Sequence, residues 1–278
     1  MLVSPVLDVR APPLTTEQES PIDTSQQKHA LKDFYASEAA DLDNAAWLEA
    51  GGGARVPENP AAHYFLDRKV ETALAMAAAP PEARVLEVGC SFGHQTFLLT
   101  RRFAHVTAVD LSPESIALAR RRAQRWNVTN VRFEVADAEA LTDFVDASFD
   151  VVMSFSTLRF CPSPERALRE FRRVARPGGR LVADFPNAEC PWYGPVKRSL
   201  GITPHIHDRL FRAAEAQAIV RGAGWNDVRT RHILFTSKRV PDAWLRVFRW
   251  VDRVGERLPG VRRMSGIVMA SGTNDGRR

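Results

Sequence analysis

Several residues recur at spacings that suit the binding of a sugar-bearing nucleotide. The run Val85-Leu86-Glu87-Val88-Gly89-Cys90-Ser91-Phe92-Gly93 carries an apolar segment through an acid into two glycines four positions apart. Such a run reads as a buried parallel strand entering a tight turn. Glycine takes positive φ at a turn of this kind and, lacking Cβ, lets backbone N–H groups approach a ligand, while the helix opening at Gly93 points its positive end the same way. Asp110 closes the next apolar run, where a carboxylate can accept both hydroxyls of a ribose; Asp137 follows the third, and Ser154 and Phe155 end the fourth. A lone Asp after a strand is commonly a turn residue. Three acids at three successive strand ends point instead to one ligand, held where such sheets bind ligands, outside the carboxyl ends of the strands.

The elements that must position these residues alternate. Strands are expected at 84–88, 106–110, 131–135, 149–154 and 179–185, and helices at 93–102, from Ser112-Pro113 onward, and at 165–175. Ser112 caps and Pro113 starts its helix, with Ile116, Ala119, Ala123 and Trp126 on one face. This alternation specifies an α/β fold: a doubly wound, mostly parallel, seven-stranded Rossmann-like sheet with helices on both faces and the last strand antiparallel. Further along come a helix ending near Arg221, strands at 228–235 and 267–270, and an amphipathic stretch at 242–258. Residues 1–26 carry Pro5, Pro12, Pro13 and Pro21 without a hydrophobic period and are expected to be a disordered tail. Residues 27–61 are expected to form an N-terminal helical cap, and 62–278 the main domain, with lid-like insertions at 186–208 and 238–262.

Composition bounds the class. The 278 residues are 45% hydrophobic, ample for a buried core, and the formal charge of +5 comes from arginines spread over several helices rather than from one basic block. Cys90, Cys161 and Cys190 are too few and too far apart for a zinc site or a disulfide framework, which suits a reducing compartment. The N-terminus has Asp8 inside its only apolar stretch and no basic n-region, and no run reaches about 18 apolar residues. A cytoplasmic protein without a metal is expected.

In order along the chain these motifs resemble those of the class I S-adenosylmethionine-dependent methyltransferases that act on small molecules, over roughly 85–224. Leu-Glu-Val-Gly-Cys-Ser-Phe-Gly is similar to the first motif, Asp/Glu-x-Gly-x-Gly-x-Gly, with Ser91 in place of the middle glycine. Val109-Asp110-Leu111-Ser112-Pro113-Glu114 is similar to the second and Ala136-Asp137-Ala138 to the third. The most specific part runs from Phe149-Asp150 through Leu158 to Arg176-Pro177-Gly178-Gly179. The resemblance implies S-adenosylmethionine as cofactor and S-adenosylhomocysteine as product. Its methionine part would lie in the Gly89, Cys90, Ser91 to Gly93 cradle, its ribose on Asp110 and its adenine against Asp137 and Ala138. Leu158-Arg159 is also similar to the C-methyltransferases of quinone biosynthesis.

Methyl transfer of this kind is an in-line displacement in which positioning supplies most of the acceleration. A hydroxyl or acidic carbon acceptor would be helped by a nearby base. The resemblance implies that the segment after the fifth strand folds over the acceptor, which makes His205 and His207, in His-Ile-His, the candidate catalytic bases; a polar loop capping the next helix is the alternative. His94 and His105 read as structural, and Tyr35, Tyr64, Trp192 and Tyr193 as candidate pocket walls. Two glycines rather than three argue against a nicotinamide dehydrogenase. A nucleic-acid methyltransferase is the different-substrate alternative, but Ser154-Phe155-Ser156-Thr157 is not an Asn/Asp-Pro-Pro-aromatic set. A non-catalytic binder of the cofactor on the same fold is the third reading. At 242–258, Trp244, Val247, Phe248, Val251, Val254 and Leu258 are expected on one face and Arg246, Arg249, Arg253 and Arg257 on the other. That helix either packs on the protein's own core or makes a peripheral membrane contact.

Overall fold

The computed structural model describes residues 24–43, 60–191, 209–238 and 240–276. Its centre is a seven-stranded sheet in the order β3-β2-β1-β4-β5-β7-β6, formed by β1 (Arg84–Val88), β2 (His105–Asp110), β3 (Val131–Val135), β4 (Phe149–Ser154), β5 (Ala175–Pro186), β6 (Asn226–Ile233) and β7 (Ile267–Thr273). β1 pairs in parallel with β2 and β4, and β7 runs antiparallel between β5 and β6. The order reverses between β1 and β4, which opens a crevice at their carboxyl ends.

Each inner strand is apolar on both faces because helices cover both. Successive side chains of a strand alternate between faces. Leu86, Val152 and Leu181 therefore face one core, with Leu168, Phe171 and Val220, while Val85, Val151 and Val182 face the other, with Phe65, Val70 and Leu99. The first core is supplied by α5 (Pro164–Val174) and α6 (Ala213–Gly222), the second by α2 (Pro60–Ala77) and α3 (His94–Leu99). α4 (Pro113–Arg125) starts where its cap predicts: Ser112 Oγ accepts from the Ser115 N–H at 3.1 Å, and proline occupies the first turn.

The fifth strand begins earlier than its apolar run. Ala175 pairs with Phe149, and the register then shifts so that Arg180 pairs with Val151. The Arg-Pro-Gly-Gly segment bulges out between them, with Gly178 at φ 79°. α1 (Thr24–Asp43) lies beside α4 and begins three residues ahead of the cap boundary expected at 27.

The arginine-rich stretch forms α7 (Asp242–Gly255), which packs against α2. Its inward side carries Asp252, whose carboxylate accepts from the backbone N–H of Thr236 at 3.1 Å and from the N–H of Phe235, and Gly255, where an added Cβ would lie 2.7 Å from the Phe235 ring. The expected single apolar face is therefore split. Phe248, Val251 and Val254 are half-buried, whereas Trp244, Val247 and Leu258 are exposed, because the short polar and small residues at 252 and 255 take the closest approach to the domain. Among the described residues no helix is long and apolar enough to cross a membrane.

Candidate functional site

A cavity of about 370 Å³ occupies the crevice at the carboxyl ends of β1 to β4. Of the residues singled out by sequence, Gly89, Cys90, Ser91, Asp110, Leu111, Asp137, Ala138 and Phe155 line it. Glu87, Gly93 and Ser154 do not. Glu87 lies fully buried beneath the turn, with Oε2 accepting from Thr96 Oγ1 at 2.6 Å. Gly93 caps α3 at φ 87°, and an added Cβ there would stand 2.9 Å from the Phe97 ring. Ser154 Oγ donates to the Val88 carbonyl at 3.0 Å and ties β4 to β1. His205, His207, Trp192 and Tyr193 lie outside the described residues, as does the Tyr35 side chain. Tyr64 is half-buried on α2 and does not line the cavity; burial and a hydrogen bond to Asp252 push its hydroxyl pKa up.

The turn after β1 is held from several sides. Gly89 (φ 80°) and Ser91 (φ 47°) both take left-handed backbone, so the serine at the middle position of the motif adopts a conformation that costs a non-glycine residue about 1–2 kcal/mol. Asp110 organises it: Oδ2 accepts from the Ser91 N–H at 2.7 Å and Oδ1 from the Ser112 N–H at 3.0 Å. From the far side, Arg122 of α4, 1% exposed, donates to the Phe92 carbonyl at 3.0 Å.

Burial governs the titration of the groups around the cavity. It raises Glu87 to about 7, with Asp110 adding to the rise, and it raises Asp110 against the opposing pull of its backbone hydrogen bonds. Burial and the neighbouring Arg122 and Lys238 lower His94 to about 3, which keeps its imidazole neutral at physiological pH. His94 lines the cavity, edge-on to Phe92 with the ring centroids 4.9 Å apart.

Two further arrangements have no signature in the sequence. At the Asp137 corner, Lys28 of α1 reaches Asp137 Oδ2 and Glu139 Oε2, each at 2.6 Å, and the two carboxylates outweigh burial to hold its ammonium above the ordinary value. At the β4 end, Lys69 of α2 and Asp184 of β5, each 1% exposed, form an ion pair around Ser156. Lys69 Nζ donates to Ser156 Oγ at 2.7 Å, and Asp184 accepts from the Ser156 N–H. This pair fixes Phe155, Ser156 and Thr157, which line the cavity, with Ser156 at φ 56°. Both arrangements join residues more than a hundred positions apart, and an isolated lysine on a helix carries no sign of such a partner.

The donor set fits a nucleoside bearing an amino acid. Two polar atoms of the cavity wall, Ser91 Oγ and Gln95 Nε2, are buried without a hydrogen-bond partner. Unpaired buried polar atoms are costly, and a ligand with hydroxyl and carboxylate groups would satisfy them. Asp110 and Asp137 supply acceptors along the same wall.

Residues 86–183 match the family model described as a methyltransferase domain. The chain is 30% identical over 184 residues to an S-adenosyl-L-methionine-dependent Diels-Alderase of Talaromyces variabilis, covering 60% of this chain and 61% of that protein. It is 31% identical over 185 residues to a ubiquinone biosynthesis O-methyltransferase of Xanthomonas axonopodis, covering 64% of this chain and 74% of that protein. Of two other curated relatives it spans about half the length, 47% and 48%. Among solved structures it resembles the magnesium protoporphyrin IX methyltransferase of Synechocystis, which has SAH bound, with a TM-score of 0.60 at 17% identity over 88% of this chain and 99% of the other. With its sheet order, its strand-end acids and a relative matched over three quarters of its length, the chain belongs to the class I S-adenosylmethionine-dependent methyltransferases.

Proposed function

We propose that this chain binds S-adenosylmethionine at the carboxyl ends of β1 to β3 and methylates a small-molecule acceptor by in-line displacement. The observation that supports this most is the convergence of Ser91, Gln95, Asp110 and Asp137 on one cavity. The bound cofactor supplies a methyl group made electrophilic by its sulfonium. In this reading the Gly89–Gly93 turn holds the methionine end, Asp110 the ribose, and Asp137 with Ala138 the adenine. Phe155, Phe160, Leu66 and Leu31 give the remaining wall an apolar character, suited to an acceptor with a flat or hydrophobic body. The relatives named for quinone and protoporphyrin substrates agree with that class.

Where the acceptor is a hydroxyl or an acidic carbon, His205 or His207 is the proposed proton acceptor. His94, neutral at physiological pH, serves to accept a hydrogen bond from the ligand rather than to hold a proton. The Diels-Alderase relative favours a second reading, in which the cofactor is bound but its methyl group stays in place while the pocket shapes another reaction.

Calorimetry with S-adenosylmethionine and S-adenosylhomocysteine, followed by transfer of labelled methyl to a panel of quinols, phenols and porphyrins, tests these readings. Binding that weakens tenfold or more in Asp110→Ala, with label transferred, supports the first. Cofactor binding without label transfer to any acceptor supports the second. No binding of either compound overturns both.

A further inference from the structure

α7 and the turn after it expose an unusual surface. Trp244, Val247, Trp250, Leu258, Val261 and Met264 are 58%, 47%, 61%, 46%, 42% and 45% exposed. Arg246, Arg249, Arg253, Arg257, Arg262 and Arg263 are exposed among them. At about 100° per residue, α7 carries an inward strip through Phe248, Asp252 and Gly255, an apolar one through Val247, Trp250 and the half-buried Val254, and a basic one through Arg246 and Arg253, while Arg257 and Leu258 follow in the turn after the helix.

Two of the three acids of this segment are turned away from that surface. Asp252 is consumed by the backbone at Phe235 and Thr236, and Glu256 by Arg68 of α2 and the N–H of Leu234 at 3.2 Å. Asp242 at the first turn is the remaining exposed acid. The result is a positive face with large aromatics set among the charges. Tryptophan beside arginine is the pairing that suits a lipid–water boundary, where the indole sits at headgroup depth and the guanidinium meets anionic headgroups. Double-stranded nucleic acid would also draw the arginines, but it offers no apolar layer for Val247, Leu258, Val261 and Met264.

We propose that this face docks the protein on an anionic lipid surface. The placement is consistent with a lipid-soluble ligand: α7 rests on α2, whose Ala62 and Leu66 line the cavity, and Lys238, just ahead of α7, lines it as well. The proposal stands on the surface itself and does not require methyl transfer.

The test is co-sedimentation of the full chain with vesicles of phosphatidylglycerol and phosphatidylcholine in equal parts, with phosphatidylcholine alone, and with duplex DNA as competitor. The expected result is binding to the anionic vesicles that weakens with salt, falls about fivefold for each of R253Q and R257Q, and falls tenfold or more in W244S/W250S. Calorimetry with S-adenosylhomocysteine on the same variants checks that the cofactor cavity is intact. Absence of binding above the phosphatidylcholine control overturns the proposal, as does binding that the tryptophan changes leave untouched. Preferential binding to DNA through the same arginines also overturns it.

Discussion

Gly89 and Thr157 stand against each other so closely that a Cβ on Gly89 would lie 1.8 Å from Thr157 Oγ1. The glycine of the first motif is thus required by the protein's own chain as well as by any ligand. Thr157 Oγ1 lies 3.2 Å from the Val88 carbonyl and 3.1 Å from that of Phe155, so the end of β4 is pinned over the end of β1. Both the positive φ and the contact forbid a side chain. Gly89→Ala is expected to lower unfolding free energy by about 2–4 kcal/mol in the absence of any cofactor. Urea denaturation of Gly89→Ala and Gly89→Ala/Thr157→Gly checks this: the second change recovers part of the loss, whereas equal midpoints for the two would show that the contact carries nothing.

Ser91 combines left-handed backbone with a buried hydroxyl that has no partner. Ser91→Gly removes both burdens, offset in part by the greater freedom of glycine in the unfolded chain. A gain of about 1 kcal/mol is expected for the cofactor-free protein, together with weaker binding of S-adenosylhomocysteine as the ligand loses a hydroxyl partner. Thermal denaturation and calorimetry read the two effects separately.

Glu87 and His94 impose opposite pH dependences. For Glu87, raised from 4.5 to about 7, the folded protein keeps a proton that the unfolded chain has released, so stability falls as pH rises through that window. Glu87→Gln is therefore expected to be more stable than the wild type above about pH 7, by on the order of 1–3 kcal/mol, with the gap closing toward about pH 4.5. For His94, lowered from 6.5 to about 3, the unfolded chain gains the proton first, so stability falls as pH drops through that window. His94→Asn is expected to flatten the acid limb. Urea midpoints measured across the range check both signs, and a Glu87→Gln profile parallel to the wild type would remove Glu87 from the account.

Lys69 and Asp184 are buried together, and breaking such a pair leaves one charge without compensation. Lys69→Met is expected to destabilise the protein by about 3–5 kcal/mol, and Lys69→Met/Asp184→Asn to recover a substantial part. The variants differ from a simple packing loss in one respect. Because the pair sets Ser156 and Thr157 on the cavity wall, cofactor affinity should fall in the single variant and return in the double, as calorimetry would show.

The strand-end acids and the order of strands and helices were legible in the sequence because they rest on local patterns: apolar runs of strand length, the Ser-Pro cap at Ser112, and glycine turns. β3 and β4 coincide with their apolar runs for that reason. What the local pattern could not contain were contacts between distant segments. The early start of β5 depends on a bulge that only pairing with β4 reveals. The ion pair of Lys69 with Asp184 and the Lys28 clasp on Asp137 and Glu139 join elements that share no periodicity. Helical spacing at α7 showed an apolar stripe, but which part of it faces water was decided by Asp252 and Gly255, the residues packed against the Phe235-Thr236 segment. Sequence alone determined the fold and the strand ends that bear the candidate cofactor residues; the tertiary structure decided which side chains close the cavity and which are left on the surface, because burial and charge pairing are properties of segments brought together and not of any one of them.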